Sequence, residues 1–295
     1  RIFKYIMNIS LFGHTGFFGR EIYKYLKTKK KISTLSVFSS KEFDLLKKIN
    51  IKTLSKSYKK NCTIIFCSGI KKQFGDDLNI FDLNQKIITN FAKSLNKNVK
   101  KIIYFSSASV YGEDIFHKSK INENSELHLK SYYGLSKYMS EKILEKVTKE
   151  LGIKLIIFRI PLVYGIGDST KGYGPSDFIN RFVDNKEITL WGKGDEFREF
   201  IYILDIVKIT YIFLNNKSEG IFNIVSGKSY TYFSIIRILN KIFSKNHAIN
   251  YIKRTKHKVD HMYNNDKISK FSNGYKFHTL EEGINKFLKS YDKKN

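Results

Sequence analysis

Residues 8–19 read NISLFGHTGFFG. A short apolar run, Asn8–Phe12, meets three glycines at 13, 16 and 19. The residues that follow, REIYKYLKTKKK (20–31), take a helical period with Ile22, Tyr25 and Leu26 on one face. Strand, glycine turn and helix in that order let the backbone approach a pyrophosphate, whose charge the helix N-terminus stabilises. The spacing is GxxGxxG rather than GxGxxG, and any strand–turn–helix can carry glycines. Its place at the first strand is what points to a dinucleotide site.

Working outward, LSVF (35–38), CTIIFCSG (62–69), KIIYFSS (101–107) and KLIIFRI (154–160) read as strands. The second of these is continuously apolar, as a strand buried on both faces requires. IFDLNQKIITNFAKSL (80–95) and SYYGLSKYMSEKILEKVTKEL (131–151) read as helices. The alternation predicts an α/β fold, a Rossmann-type, doubly wound parallel sheet. After about residue 165 the texture changes. GIGDSTKGYGPSD (165–177) is a Gly-rich loop, and the last seventy residues suggest a smaller, mixed, mostly helical substrate domain. The expected division is 7–165 for dinucleotide binding and 166–295 for substrate. REFIYILDIV (198–207) and GIFNIVSG (220–227) are expected to form strands, and 198–227 to be able to return to the first domain.

Composition excludes several classes. Apolar content of 42% and aromatic content of 15% exclude a disordered chain. No apolar run reaches transmembrane length, so no membrane partner is expected. The net charge of +26 suggests nucleic acid or an anionic surface. Arg, however, occurs only at 1, 20, 159, 181, 198, 237 and 254, while Lys is scattered through every segment. Dispersed solvated lysine accounts for this better than a nucleic-acid footprint, which would cluster its charge and favour Arg. Cys62 and Cys67 form no metal-binding spacing, so no metal is expected, and they read as free thiols in a reducing cytosol. The N-terminal stretch lacks a signal-peptide cleavage site, and Met7, just ahead of the first strand, makes residues 1–6 look extraneous.

The ribose end of a dinucleotide site lies after the second strand, here VFSSKEFDLL (37–46). Ser39, Ser40 and Lys41 stand where an NAD-preferring site would carry a carboxylate. Hydroxyls and an ammonium suit a 2′-phosphate, which favours NADP(H). The alternative gives the carboxylate's task to Glu42 or Asp44 and makes the cofactor NAD(H).

YYGLSK (132–137) places Tyr133 four residues before Lys137, on one helical face. A free phenol has a pKa of about 10. A nearby ammonium and a cationic nicotinamide ring would make it a usable acid or base near neutrality. Such a pair is common on Lys-rich helices, and gains meaning from YFSSASVYG (104–112). There a strand runs into a polar loop at the sheet edge where α/β folds bind ligands. Ser107 could hydrogen-bond a substrate oxygen, though any one serine in this loop could equally be a capping residue.

The ordered set GHTGFFG, IIFCSG, Asn84, FSSASVYG, YYGLSK, FRIPLVYG (158–165), REFIYILDIV, GIFNIVSG and LEEGI (280–284) resembles the extended short-chain dehydrogenase/reductase family across nearly the whole chain. That group contains nucleotide-sugar epimerases, dehydratases and reductases. The resemblance implies Ser107, Tyr133 and Lys137 as the catalytic trio. It implies cofactor contacts along Gly13, Thr15, Gly16, Phe17, Phe18 and Gly19, at Ser39, Ser40, Lys41 and Asp44, at Cys67, Ser68 and Gly69, and at Asn84, Lys137 and Pro161. It implies that Arg198 contacts a nucleotide diphosphate, with Ser107 and Tyr202 also at the substrate. Family 4,6-dehydratases follow the catalytic Ser/Thr with Asp-Glu, whereas this chain has Ala108 and Ser109, so dehydration is not expected. The compact segment SSKEFDLL resembles ketoreductases that reduce 4-keto-6-deoxy nucleotide sugars with NADPH. NAD-dependent C-4 epimerases are the main alternative, and a non-catalytic dinucleotide sensor a second. Leu162 replaces a frequent Asn, and Lys256 or Lys258 stands in for a second phosphate-binding Arg. A homodimer through the helices around 84 and 137 is a further implication of the family.

Overall fold

The computed structural model describes residues 6–47, 50–168 and 172–291. Residues 1–5, before Met7, and 169–171, within the Gly-rich loop, lie outside them. The chain divides into two compact units. The first runs to Gly112 and adds Leu127–Arg159 and Val207–Phe222. The second comprises Glu113–Glu126, Ile160–Ile206 and the chain from Asn223.

The first unit is built on β1 (Met7–Phe12), α1 (Phe17–Lys27), β2 (Ile32–Phe38), α2 (Ile51–Lys56), β3 (Cys62–Phe66), α3 (Leu78–Ser94), β4 (Val99–Ser107), α4 (Tyr132–Leu151) and β5 (Lys154–Ile160). With the strand Gly220–Asn223 they form a six-stranded sheet in the order Gly220–Asn223, β5, β4, β3, β1, β2. β1 pairs in parallel with β2 and β3, and β3 with β4. The strand order reverses between β1 and β3, the switch point at which sheets of this kind bind ligands.

Aromatic packing fixes this end of the sheet. Phe12 is in register with Phe38 and Phe66, and the Phe66 ring stacks on Phe91 of α3 at 4.0 Å. Burying each such ring is worth about 1.5–3 kcal/mol. Helix starts follow their capping residues. Asn50, Asp77 and Ser131 accept the amides of Thr53, Ile80 and Gly134 and begin α2, α3 and α4. Gly16, the N-cap of α1, supplies no such side chain.

One expectation is corrected. REFIYILDIV was read as strand throughout, but strand ends at Tyr202 and a helix runs Ile203–Asn215. Its β-branched residues concealed a helical spacing: Ile203, Ile206, Val207, Thr210, Phe213 and Leu214 are all buried. Lys101 of β4 donates to the carbonyls of Phe213, Leu214 and Asn216 and so closes the end of that helix.

The second unit holds short elements. Leu162–Tyr164 pairs with Phe200–Tyr202 and Ile188–Trp191 with Ile249–Ile252, both in parallel. Phe197–Arg198 pairs antiparallel with Tyr230–Thr231. Its helices include Pro175–Val183, Tyr232–Phe243, Asp266–Phe271 and Leu280–Tyr291. Among the described residues no helix is long and apolar enough to cross a membrane.

Candidate active site

The glycine turn is shaped by backbone geometry. Gly13 has φ +79°, which a side chain rarely tolerates, and its carbonyl accepts the Gly16 amide at 3.0 Å. A Cβ on Gly19 would lie 2.1 Å from that same carbonyl, so α1 starts hard against the turn only because residue 19 has no side chain. The first turn of α1 has no acidic residue and no side-chain cap, which leaves its amides free to receive an anion. Thr15 and Gly16 are exposed, Phe17 is buried, and Phe18 packs on Phe105 at 5.4 Å between ring centres. The cradle fits a dinucleotide pyrophosphate.

At the end of β2 the structure revises the reading of Ser39. Its amide and hydroxyl both donate to Glu42 Oε2, at 2.7 and 2.5 Å, so neither is turned to a 2′-phosphate. These hydrogen bonds hold the Glu42 carboxyl below its usual range. Ser40 and Lys41 are exposed, and Asp44 accepts the Leu46 amide at 3.0 Å. Phe38, Ser39, Ser40, Phe43, Leu45 and Ser68 are among the residues lining a cavity of about 120 Å³ here.

Tyr133 and Lys137 occupy the first two turns of α4. Lys137 Nζ lies 5.7 Å from the Tyr133 ring centre and donates to Phe105 O of β4 at 2.9 Å. Burial pushes the ammonium down to about 8, against the opposing pull of Cys67 and Glu141. Burial pushes the Cys67 thiol up, with Lys137 opposing. Asn84 accepts the Ile70 amide at 2.8 Å and donates to Ile70 O at 3.2 Å, which fixes the loop after β3. A Cβ on Gly69 would lie 3.4 Å from Asn84 Oδ1 and 3.5 Å from Lys137 Nζ, so these three expected cofactor residues converge. Beside them a cavity of about 10 Å³, lined in part by Ser68, Asn84, Tyr104, Ser136, Lys137 and Ser140, has room for one water.

Ser107 ends β4 and caps the 3₁₀ turn Ala108–Tyr111. Its Oγ accepts the Ser109 amide and donates to Ser109 Oγ, both at 3.1 Å. The first turn of α4 abuts this loop: a Cβ on Gly134 would stand 2.8 Å from Ser109 O. Asp76, in the loop before α3, accepts the Tyr133 amide at 2.9 Å. Asp76 escaped the sequence reading because it lies 57 residues from its partner, with no local pattern to mark it.

Other expected residues lie in the second unit. Arg198 donates to the carbonyls of Val259 and Phe197. Tyr202 is buried, its ring 5.5 Å from Tyr164 and 5.6 Å from His278. Lys256 pairs with Asp114 at 2.5 Å, and Lys258 lies 3.5 Å from both Asp195 and Asp260. Leu162 is exposed, and Pro161 follows directly on β5.

Comparison with known proteins gives concordant results. The chain is 31% identical over 189 residues to a putative UDP-glucose 4-epimerase of Methanocaldococcus jannaschii, a match covering 63% of this chain and 60% of that protein. It is 35% identical over 167 residues to an Escherichia coli dTDP-4-dehydro-6-deoxyglucose reductase, covering 55% and 52%. The chain thus spans little more than half the length of these relatives. A Yersinia pseudotuberculosis GDP-L-colitose synthase matches at 28% identity over 80% of this chain and 82% of its own. Among solved structures, the Thermus thermophilus UDP-glucose 4-epimerase in complex with NAD superposes with TM-score 0.84 at 19% identity, over 97% of this chain and 99% of that one. That likeness is one of fold. Residues 9–225 match the model of the NAD dependent epimerase/dehydratase family, and the chain belongs to that family.

Proposed function

We propose that this chain is a nicotinamide-dependent reductase of a 4-keto-6-deoxy nucleotide sugar. The observation that carries the reading is the placement of Lys137 against the end of β4, beside Tyr133, with Ser107 closing the same strand. A bound nicotinamide supplies the hydride to the sugar carbonyl carbon. Tyr133 delivers the proton to the carbonyl oxygen. Lys137, cationic near neutrality, stabilises the phenolate left behind and binds the nicotinamide ribose. The Ser107 hydroxyl, which otherwise donates to Ser109 Oγ, turns to donate to the carbonyl oxygen and polarises it. Ala108 and Ser109 offer no acid or base for loss of water, which disfavours dehydration.

A second reading, C-4 epimerisation, is favoured by one specific feature. Glu42, held on Ser39 at the end of β2, puts a carboxylate where a 2′-phosphate would be repelled. This supports NAD(H) over NADP(H), and retained NAD is the cofactor an epimerase would use. For NADP(H), the exposed Ser40 and Lys41 are the groups a 2′-phosphate would meet.

Purified protein should be titrated with NADH and NADPH by nicotinamide fluorescence, then assayed with dTDP-4-keto-6-deoxyglucose and with UDP-glucose. Consumption of reduced cofactor with the keto sugar is expected. Conversion of UDP-glucose without added reductant would make the epimerase reading the right one. Tyr133→Phe should lose at least about 100-fold in kcat with folding intact, in the range of general acid catalysis. Near-normal turnover would remove Tyr133 from the mechanism.

A further inference from the structure

A buried ion pair lies beside the trio and takes no part in the chemistry above. Glu141 follows Lys137 by one turn of α4, and Arg159 stands on β5. Arg159 Nη2 donates to Glu141 Oε2 at 2.8 Å, and Nε to Oε1 at 3.1 Å. Two further arms extend from the pair. Ser106 Oγ donates to Glu141 Oε1 at 2.5 Å, and Arg159 Nη1 to Tyr111 Oη at 3.1 Å. Glu141 and Tyr111 are 0% exposed, Arg159 2% and Ser106 5%.

The partners of the pair define its reach. Ser106 immediately precedes Ser107. Tyr111 ends the turn that Ser107 caps. Glu141, at i+4 from Lys137, shares its helical face. One charge pair therefore joins α4, the end of β4, the turn beyond it and β5. Desolvating both ions offsets most of their attraction, so an apolar pair of similar volume would serve the fold as well or better. What a two-pronged guanidinium–carboxylate contact offers instead is fixed direction and distance. A misplacement of about 1 Å at a reacting centre can cost on the order of 100-fold in rate.

We infer that Glu141–Arg159 is the positioning pair of the site, holding Ser107 and the Tyr133–Lys137 couple in register through Ser106, Tyr111 and α4. The inference rests on the catalytic reading of Ser107, Tyr133 and Lys137. Neither member of the pair is assigned contact with substrate.

The test compares wild type, Tyr133→Phe, Ser106→Ala and the double variant Glu141→Leu/Arg159→Met. Each is assayed on whichever of dTDP-4-keto-6-deoxyglucose and UDP-glucose the wild type turns over, with Tm and NADH affinity measured alongside. Ser106→Ala removes one arm and leaves the ions paired. The double variant replaces the charges with apolar volume. The expected result is a kcat loss of about 10-fold in Ser106→Ala and about 100-fold in the double variant. KM and NADH affinity should stay close to wild type in both, as should Tm in Ser106→Ala, while the double variant loses some Tm because the buried Ser106 and Tyr111 hydroxyls lose their partners. If Tyr133→Phe is inactive while Ser106→Ala and the double variant keep wild-type kcat, the inference is overturned and the catalytic reading stands. A kcat loss that comes with matching losses of NADH affinity and Tm also overturns it, since a weakened fold then explains the rate. If the double variant does not fold, unchanged kcat in Ser106→Ala decides against the pair. Full activity in Tyr133→Phe, or no turnover by wild type, removes the catalytic reading and the inference together.

Discussion

At the scale of single residues, chemistry here depends on which partner each polar group finds. Ser39 was expected to meet a phosphate, yet both of its donors go to Glu42, three residues on. That choice puts a carboxylate at the end of β2, where the proposed reading would seat the ribose. Glu42→Gln should therefore raise NADPH affinity relative to NADH by about 10-fold, by removing one charge from beside the 2′ position. Nicotinamide fluorescence titration of both cofactors checks it, and an unchanged ratio would mean that Glu42 does not face the 2′ group. Lys137 lies beside Tyr133, its Nζ 5.7 Å from the ring centre. The i, i+4 spacing from Tyr133 was legible in sequence, whereas the Phe105 carbonyl that receives its ammonium was not. That acceptor comes from a strand 32 positions away.

At the scale of elements, strand–turn–helix boundaries followed local rules closely. Ser131 caps α4, and the long apolar runs became β3, β4 and β5. The helix Ile203–Asn215 was missed because Ile and Val satisfy both a strand composition and a helical face, and only burial distinguishes them. The glycine turn yields a graded prediction. Gly19→Ala forces a Cβ onto backbone at 2.1 Å, where nothing can yield cheaply. It should cost at least about 1–3 kcal/mol of stability, in line with overpacking, and abolish dinucleotide binding. Gly16→Ala meets the same carbonyl at 3.3 Å with an ordinary φ of −77°, so urea unfolding should find it closer to wild type. Equal effects of the two substitutions would refute this account of the turn.

For the whole molecule, one buried carboxyl outside the candidate site links stability to pH. Glu199 is 1% exposed and accepts the Ser226 amide and hydroxyl and the Gly227 amide. Burial outweighs these hydrogen bonds and pushes it up to about 7. A carboxyl raised on folding contributes stability that is fully present below its unfolded pKa of about 4.3 and is lost as pH rises through its folded value. Thermal melts should fall between about pH 4.3 and 7 in wild type and level off above, and Glu199→Gln should flatten that fall by removing the charge that burial penalises. Equal slopes in the two proteins would show that Glu199 does not drive the effect. The net charge of +26 belongs to this scale too, but it bears on association and solubility rather than on fold.

The sequence by itself determined the class of fold, the glycine cradle and the Tyr133–Lys137 spacing. Hydrophobic period, glycine placement and helical repeat are all local, and each is readable within a few residues. Tertiary structure decided what those residues meet: Asp76 on the Tyr133 amide, and Arg159 against Glu141 beneath Ser106. These two contacts join positions 57 and 18 residues apart, and a distant carboxylate leaves no periodic mark in a chain. Only the packing of β4, β5, α3 and α4 brings Asp76 to Tyr133 and Glu141 to Arg159, and burial makes the pairing of Glu141 with Arg159 obligatory.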